Sequence, residues 1–299
     1  MKVHVYDFRW LDEKTAEFQA SAEKKFGRKA VKIGDTLSLE NCSNVRCAGS
    51  MSREGVWTPC PENASGRAKC DLCKMRERNF VFTAFDGFDR TNISESDLEL
   101  ISGPHVVYLA LFDTNIVKVG VTNATRKVLR QLEQGSHGTL FIAETPDGIY
   151  ARQIETILRK NGIADKVKIS QKREFLRPEI SKSEGEALLR KTFEDHKKSL
   201  SEYEQLKKFL LKRPEFSAWD QWYGLDTIKG SGKGFHDIDL KVGEWVSGTI
   251  KVMKGPFLVL ETDDEFAALS MKELLGREID FAPRPAGVHL HEALQGTFF

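Results

Sequence analysis

Five cysteines fall between residues 42 and 73, and no other stretch of the 299-residue chain holds one. Cys70 and Cys73 have the spacing of a C-x2-C turn, which offers two thiolates to one tetrahedral zinc ion from a single loop. The remaining ligands must come from Cys42, Cys47 and Cys60. An odd number of clustered cysteines fits reduced thiols on a metal better than a disulfide framework. Free cysteine is also a common buried residue. Pro59, Pro61, Asn63 and Gly66 build no hydrophobic core around these thiols, however, so a metal staple is the better reading. A sphere closed by thiolates leaves no open coordination position, which makes the role structural rather than catalytic.

A second set of residues with chemical reach lies between His105 and Glu155. The runs HVVYLAL and IVKVGVT read as apolar strands, and RKVLRQLEQG and ARQIETILRK read as helices. They present Tyr108, Lys118, Arg126, Arg130 and Glu155. Each has a plain structural reading. Tyr108 fits strand packing, Lys118 a solvent-facing strand position, and Arg130 the polar face of an amphipathic helix. Glu155, three after Arg152 and four before Arg159, fits an ion-pair ladder worth a few tenths of a kcal/mol.

This order of strands and helices, with a tyrosine early, an arginine on the first helix and a glutamate on the second, resembles the GIY-YIG nuclease superfamily. The wording is similar to an archaeal and bacterial domain family of undescribed function, in which R-C-x-G, C-P and C-x-x-C precede an H-x-VYLA / KVGVT / R-x-x-EQG core. The matching positions here are Arg46-Cys47-Ala48-Gly49, Cys60-Pro61 and Cys70 to Cys73, followed by His105, Tyr108, Lys118 and Arg130. The resemblance implies Cys47, Cys60, Cys70 and Cys73 as ligands of a structural zinc ion and leaves Cys42 spare. It also implies phosphodiester hydrolysis: Tyr108 activates water, Arg130 holds the phosphate and Glu155 binds Mg2+ or Mn2+. Lys118 takes the place of the second tyrosine, where it can hold charge or act as a base. Arg126, Lys127 and His105 are candidate nucleic-acid contacts. The chain departs from the superfamily in having Val106 at the glycine before the tyrosine. No asparagine matches downstream, and Asn161-Gly162 reads as a helix end.

Charge is distributed unevenly. The whole chain carries a formal net charge of +1, so no global field announces a polyanion partner. Residues 105–178 nevertheless hold 12 basic against 7 acidic groups, and residues 226–299 hold 8 against 12. Positive charge is concentrated where the nuclease-like motifs lie, as phosphate contacts require. The first residues lack the apolar run of a signal peptide, and Val106 to Phe112 is too short to cross a bilayer. A cytoplasmic location without membrane association is expected.

The elements that must position these residues suggest an α+β protein in four pieces. Residues 1–104 read as a β-rich region with the cysteine zinc site, including strand-like KVHVYDF, AVKIGDTLSL and FVFTAF. Residues 105–178 form the GIY-YIG-like α/β core. Residues 179–225 read as a helical segment, its first helix capped by Ser181 or Ser183 and its second, with Leu206, Phe209 and Leu210, ended by Pro214. Residues 226–299 read as a small β barrel with a hairpin at Lys254-Gly255-Pro256. Trp219, Trp222 and Tyr223 cluster before it, either as an anchor for the helices or as a stacking platform for bases. A nucleic-acid-binding protein, acting as a metal-dependent nuclease, is the leading expectation. The rivals are a non-catalytic RNA- or DNA-binding module of a larger assembly and a protein-interaction scaffold.

Overall fold

The structure is a computed structural model. It describes residues 2–23, 25–52, 54–77, 85–91, 93–174, 176, 180–228, 231–263 and 265–291. Two compact units divide the chain: residues 1–77 together with 226–299, and residues 78–225. The protein is α+β, with large sheets and few helices.

The first unit begins with an antiparallel meander of β1 (Lys2–Trp10), β2 (Thr15–Ala22) and β3 (Lys25–Lys32), followed by β4 (Thr36–Asn41). The cysteine segment then adds the two-stranded ribbon of β5 (Ser50–Met51) and β6 (Trp57–Thr58), and helix α1 (Asp71–Glu77), which buries Cys73. Residues 80–84 of the FVFTAF run lie outside the described residues.

The second unit opens with α2 (Glu95–Leu100), closed by a Ser94–Asp97 capping box. Next come β7 (His105–Asp113), β8 (Ile116–Asn123), α3 (Lys127–Gln134), β9 (Gly138–Thr145) and α4 (Gly148–Lys160). After these follow α5 (Ile169–Glu174), α6 (Lys182–Lys197), α7 (Glu204–Lys207) and β10 (Leu210–Ala218). The sheet runs β10-β9-β7-β8, all antiparallel. Because both faces of β7 are covered, by α4 and α6 on one and by Arg130 of α3 and Lys172 of α5 on the other, its run from His105 to Phe112 is continuously buried rather than alternating. Ala151, Ile154, Ile157 and Leu158 of α4, at helical spacing, pack with Leu189 and Phe193 of α6 on Val107, Leu109 and Leu111. Strand alternation sends Tyr108 to the opposite face. Ser181 caps α6, with Glu184 completing the box.

The chain then returns to the first unit with β11 (Gly234–Ile238), β12 (Trp245–Lys254), β13 (Phe257–Glu261), β14 (Glu265–Ser270), β15 (Glu278–Asp280) and β16 (Gly287–His289). The hairpin at Lys254–Phe257 is present, turning through Gly255-Pro256.

Two expectations need correction. The C-terminal strands do not make a separate small barrel among the described residues. They join the N-terminal strands in one sheet, β11-β14-β13-β12-β4-β15-β1-β2-β3, with β16 on β12. The boundary at residue 226 coincides with a division of the structure, the one at 104 falls instead after residue 77, and residues 226–299 join residues 1–77 in one unit built from both ends of the chain. Nor is residues 179–225 helical throughout, because Leu210–Ala218 is a strand. Pro214 does not end a helix. It sits at a register irregularity of the edge strand β10, where a missing N–H costs no ladder bond. Among the described residues no helix is long and apolar enough to cross a membrane.

Candidate functional site

The first constellation is the thiol cluster. The sulfurs of Cys47, Cys60, Cys70 and Cys73 all lie within 4.8 Å of one another. Cys60 Sγ and Cys70 Sγ are 3.7 Å apart, close to the roughly 3.8 Å edge of a tetrahedron with zinc–sulfur bonds of about 2.3 Å. The scaffold is backbone. Cys47 N–H donates to Ala64 O (2.7 Å), Ala48 N–H to Ala68 O (3.0 Å), and Cys70 N–H to Cys47 Sγ (3.2 Å). Gly49 is required here: its φ is +90°, and a Cβ would stand 2.3 Å from Thr58 O. Burial raises the Cys47 and Cys73 thiols. Burial also opposes ionisation of Cys60, but backbone N–H groups of Ala64 and Glu62 and the neighbouring thiols outweigh it and bring Cys60 to about 7. This donor set can hold a metal ion. Cys42 stands outside it, its thiol directed to Glu40 O at 3.7 Å.

The second constellation is a cavity of about 380 Å³ in residues 78–225. Its lining includes Tyr108 from β7, Lys118 and Gly120 from β8, Arg130 from α3, and Arg152, Glu155 and Arg159 from α4. Asp86, Asp165 and Lys166 add to its charged wall, where among the described residues five cations face three carboxylates. The sequence-expected Tyr108, Lys118, Arg130 and Glu155 thus meet in one place. Arg126, Lys127 and His105 lie outside the lining. Arg126 pairs with Glu133 at 2.6 Å, and Lys127 with Glu215 at 2.6 Å while covering the Phe141 ring. His105 is buried at the start of β7, its Nδ1 2.9 Å from Gly103 O; burial lowers its pKa.

Tyr108 is fully buried, and the Val-Gly pair of β8 makes room for it. Gly120 is its register partner, and a Cβ there would lie 2.5 Å from the phenol oxygen and 2.6 Å from Cζ. Gly120→Ala is therefore expected to cost about 1–3 kcal/mol by overpacking. Denaturant unfolding checks this, and an unchanged midpoint would mean that the ring has another place to go. Burial raises the Tyr108 phenol, while the charge and hydrogen bond of Arg130 pull the other way. At Arg130 burial opposes the charge, but Tyr108 and Glu133 more than compensate, so the guanidinium is held firmly cationic. Glu133 accepts from both arginines, with Arg130 at 3.5 Å.

Several residues that fasten the site were not singled out from sequence. Gln134 Oε1 accepts from Lys118 Nζ at 3.0 Å, and Gln134 O accepts from Lys172 Nζ at 2.7 Å. The Glu-Gln-Gly wording after Arg130 was the available signal. Gln131 is wholly buried, accepts from Thr139 Oγ1 at 3.0 Å, and leaves its Nε2 without a hydrogen bond. Arg152 Nη1 donates to Glu155 Oε2 at 2.6 Å, with the two side chains only 18% and 13% exposed. The expected ion pair exists, but within the cavity wall rather than on a solvated ladder. Asn161 ends α4 and bonds Ile157 O at 2.8 Å, outside this cavity. Two of the three clustered aromatics are anchors in their own unit: Tyr223 OH donates to Ser136 O (2.9 Å) and Trp219 Nε1–H to Thr139 Oγ1 (2.8 Å).

Among the described residues, no group of three or more metal-binding side chains other than the four cysteines comes together. Comparison with curated proteins and with solved structures yields no match. A family model described as "Protein of unknown function (DUF2797)" matches residues 34–279, from just before β4 into β15, and the chain therefore belongs to the DUF2797 family.

Proposed function

We propose that residues 78–225 are a GIY-YIG-like unit that binds nucleic acid and hydrolyses phosphodiester bonds in the 380 Å³ cavity, and that the four cysteines hold a structural zinc ion. The observation that carries the reading is the meeting of Tyr108, Lys118, Arg130 and Glu155 on one cavity wall with a surplus of cations. Hydrolysis places negative charge on the non-bridging phosphate oxygens, and preorganised donors there lower the barrier. Arg130 is the fixed donor, and Lys118, steadied by Gln134, is the second. Tyr108 sits beside Arg130, and its phenol would give its own proton to the leaving oxygen as it takes one from the attacking water. Glu155 offers a carboxylate to Mg2+ or Mn2+, which would polarise the phosphate when bound; one carboxylate plus water suits such an ion.

A second reading has its own support. Arg152 already engages Glu155 at 2.6 Å, and a carboxylate so neutralised suits a phosphate-binding module without hydrolysis. The test incubates the full chain with single- and double-stranded DNA and RNA in Mg2+ or Mn2+, with Glu155→Ala beside it. Cleavage lost in the variant supports the enzyme, by at least about 10²-fold if the carboxylate holds the ion. Salt-sensitive binding without cleavage in either protein supports the module. Absence of both overturns the nucleic-acid reading.

A further inference from the structure

Residues 78–225 contain a second cavity, of about 440 Å³, that shares no lining residue with the first. Leu111 of β7, His137 and Gly138 at the start of β9, the first residues of α6 and the end of β10 enclose it. Its size falls in the range of small-molecule sites, which combine aromatic walls with a few placed polar groups. The aromatic side chains are Phe216, Trp219 and Trp222. Trp219 is buried and anchored by its indole N–H, whereas Phe216 and Trp222 are half-buried.

The polar groups are a preset pair and one cation. His137 is 5% exposed, and its Nδ1 lies 2.7 Å from Asp220 Oδ1. The backbone fixes the pair: His137 N–H donates to Leu111 O (2.8 Å) and Trp219 N–H to His137 O (2.9 Å). The Asp220 side chain, one-third exposed, is the only carboxylate in the lining among the described residues. With one oxygen engaged by His137, it keeps lone pairs for a donor from the cavity. Among the described residues of the lining, Lys182 is the one cationic side chain other than histidine. A first-turn amide of α6 is already taken by the Ser181 cap, so an anion at the rim falls to Lys182.

We infer that this cavity binds one nucleotide whose base carries an exocyclic amino group. The base stacks against Trp222 and Phe216, its amino group donates to Asp220, and its phosphate meets Lys182. Stacking on an aromatic side chain tolerates any base, and an acidic side chain selects an amino donor, as in recognition of cytosine N4. Two sources supply this chemistry: a free mononucleotide, or an unpaired nucleotide within a strand. The second source, though not the first, rests on the nucleic-acid reading above.

The test titrates the full chain, without divalent metal, with AMP, CMP, GMP and UMP and with short single-stranded oligonucleotides, following tryptophan fluorescence and heat. Saturable quenching is expected, about tenfold weaker for UMP. Trp222→Ala and Asp220→Asn should each weaken binding at least about tenfold, and Arg130→Ala should leave the mononucleotides unaffected. Two independent variants guard against either one failing to fold. Binding of mononucleotides assigns a free nucleotide, and binding of oligonucleotides alone assigns a strand. No binding of either class overturns the inference, as does binding that survives Trp222→Ala and disappears in Arg130→Ala. Equal affinity for UMP overturns the role given to Asp220. Failure of cleavage at the first cavity leaves a positive mononucleotide result standing.

Discussion

Purified protein is expected to carry about one zinc ion per chain, and Cys70→Ser to lose it together with the fold of the cysteine segment. The argument rests on what else could hold that segment. Among the described residues, the cluster around Cys47, Cys70 and Cys73 gains Cys60, Ala64 and Leu72 as apolar neighbours, little to set against the entropy of ordering the loop. The sulfur spacing suits a tetrahedral ion. Zinc binding in small thiolate sites contributes on the order of 10 kcal/mol at neutral pH, so removing one ligand should be the most destabilising single change in the segment. Elemental analysis and limited proteolysis between residues 45 and 77 check it. Cys42→Ser is the control and should keep both metal and protection, because that thiol lies outside the cluster. A metal-free preparation resisting protease as well as the wild type would sink the zinc assignment.

The thiol cluster was legible because C-x2-C is a local signal. Even so, spacing alone left Cys42 and Cys47 equivalent, and only the family wording separated them. The strands β7 and β8 and the Gly255-Pro256 turn were legible for the same reason: each is specified within a few residues. The assignment of the chain ends was not. An apolar alternation tells that Trp245–Lys254 is a strand, but not that it pairs with Thr36–Asn41, more than 200 positions away. The β9 strand, Gly138–Thr145, was overlooked beside two stronger helical patterns, although TLFIA is an apolar run bounded by Gly138 and Pro146. Leu206, Phe209 and Leu210 share a helical spacing, but the helix stops at Lys207 and from Leu210 sheet pairing with β9 takes over. In the cavity, residue identities were legible and so was the Arg152–Glu155 pair, which follows from i,i+3 spacing on one helix. That Gln134 steadies Lys118 depends on how the end of α3 approaches β8, which no local pattern encodes.

Arg130→Ala is expected to reduce cleavage by about 10²–10³-fold, the usual cost of losing one preorganised donor to an oxyanion. Arg130→Lys should recover little of it. The guanidinium meets Glu133 from one side and the Tyr108 phenol from another, and a lysine ammonium cannot satisfy two directions with a planar fork. The same variant separates the two readings of the cavity. If residues 78–225 hydrolyse the bond, the rate falls far more than the affinity, because the lost interaction acts mainly on charge that develops during reaction. If they only bind, affinity falls and the slope of log affinity against log salt drops by about one, as for one lost phosphate contact. Arg126→Ala supplies the contrast. Arg126 shares Glu133 with Arg130 but lies outside the cavity, so its removal should leave the rate nearly intact and free Glu133 to hold Arg130 alone. Equal losses in both variants would place the working cation on the outer face of α3 and remove the cavity from the mechanism.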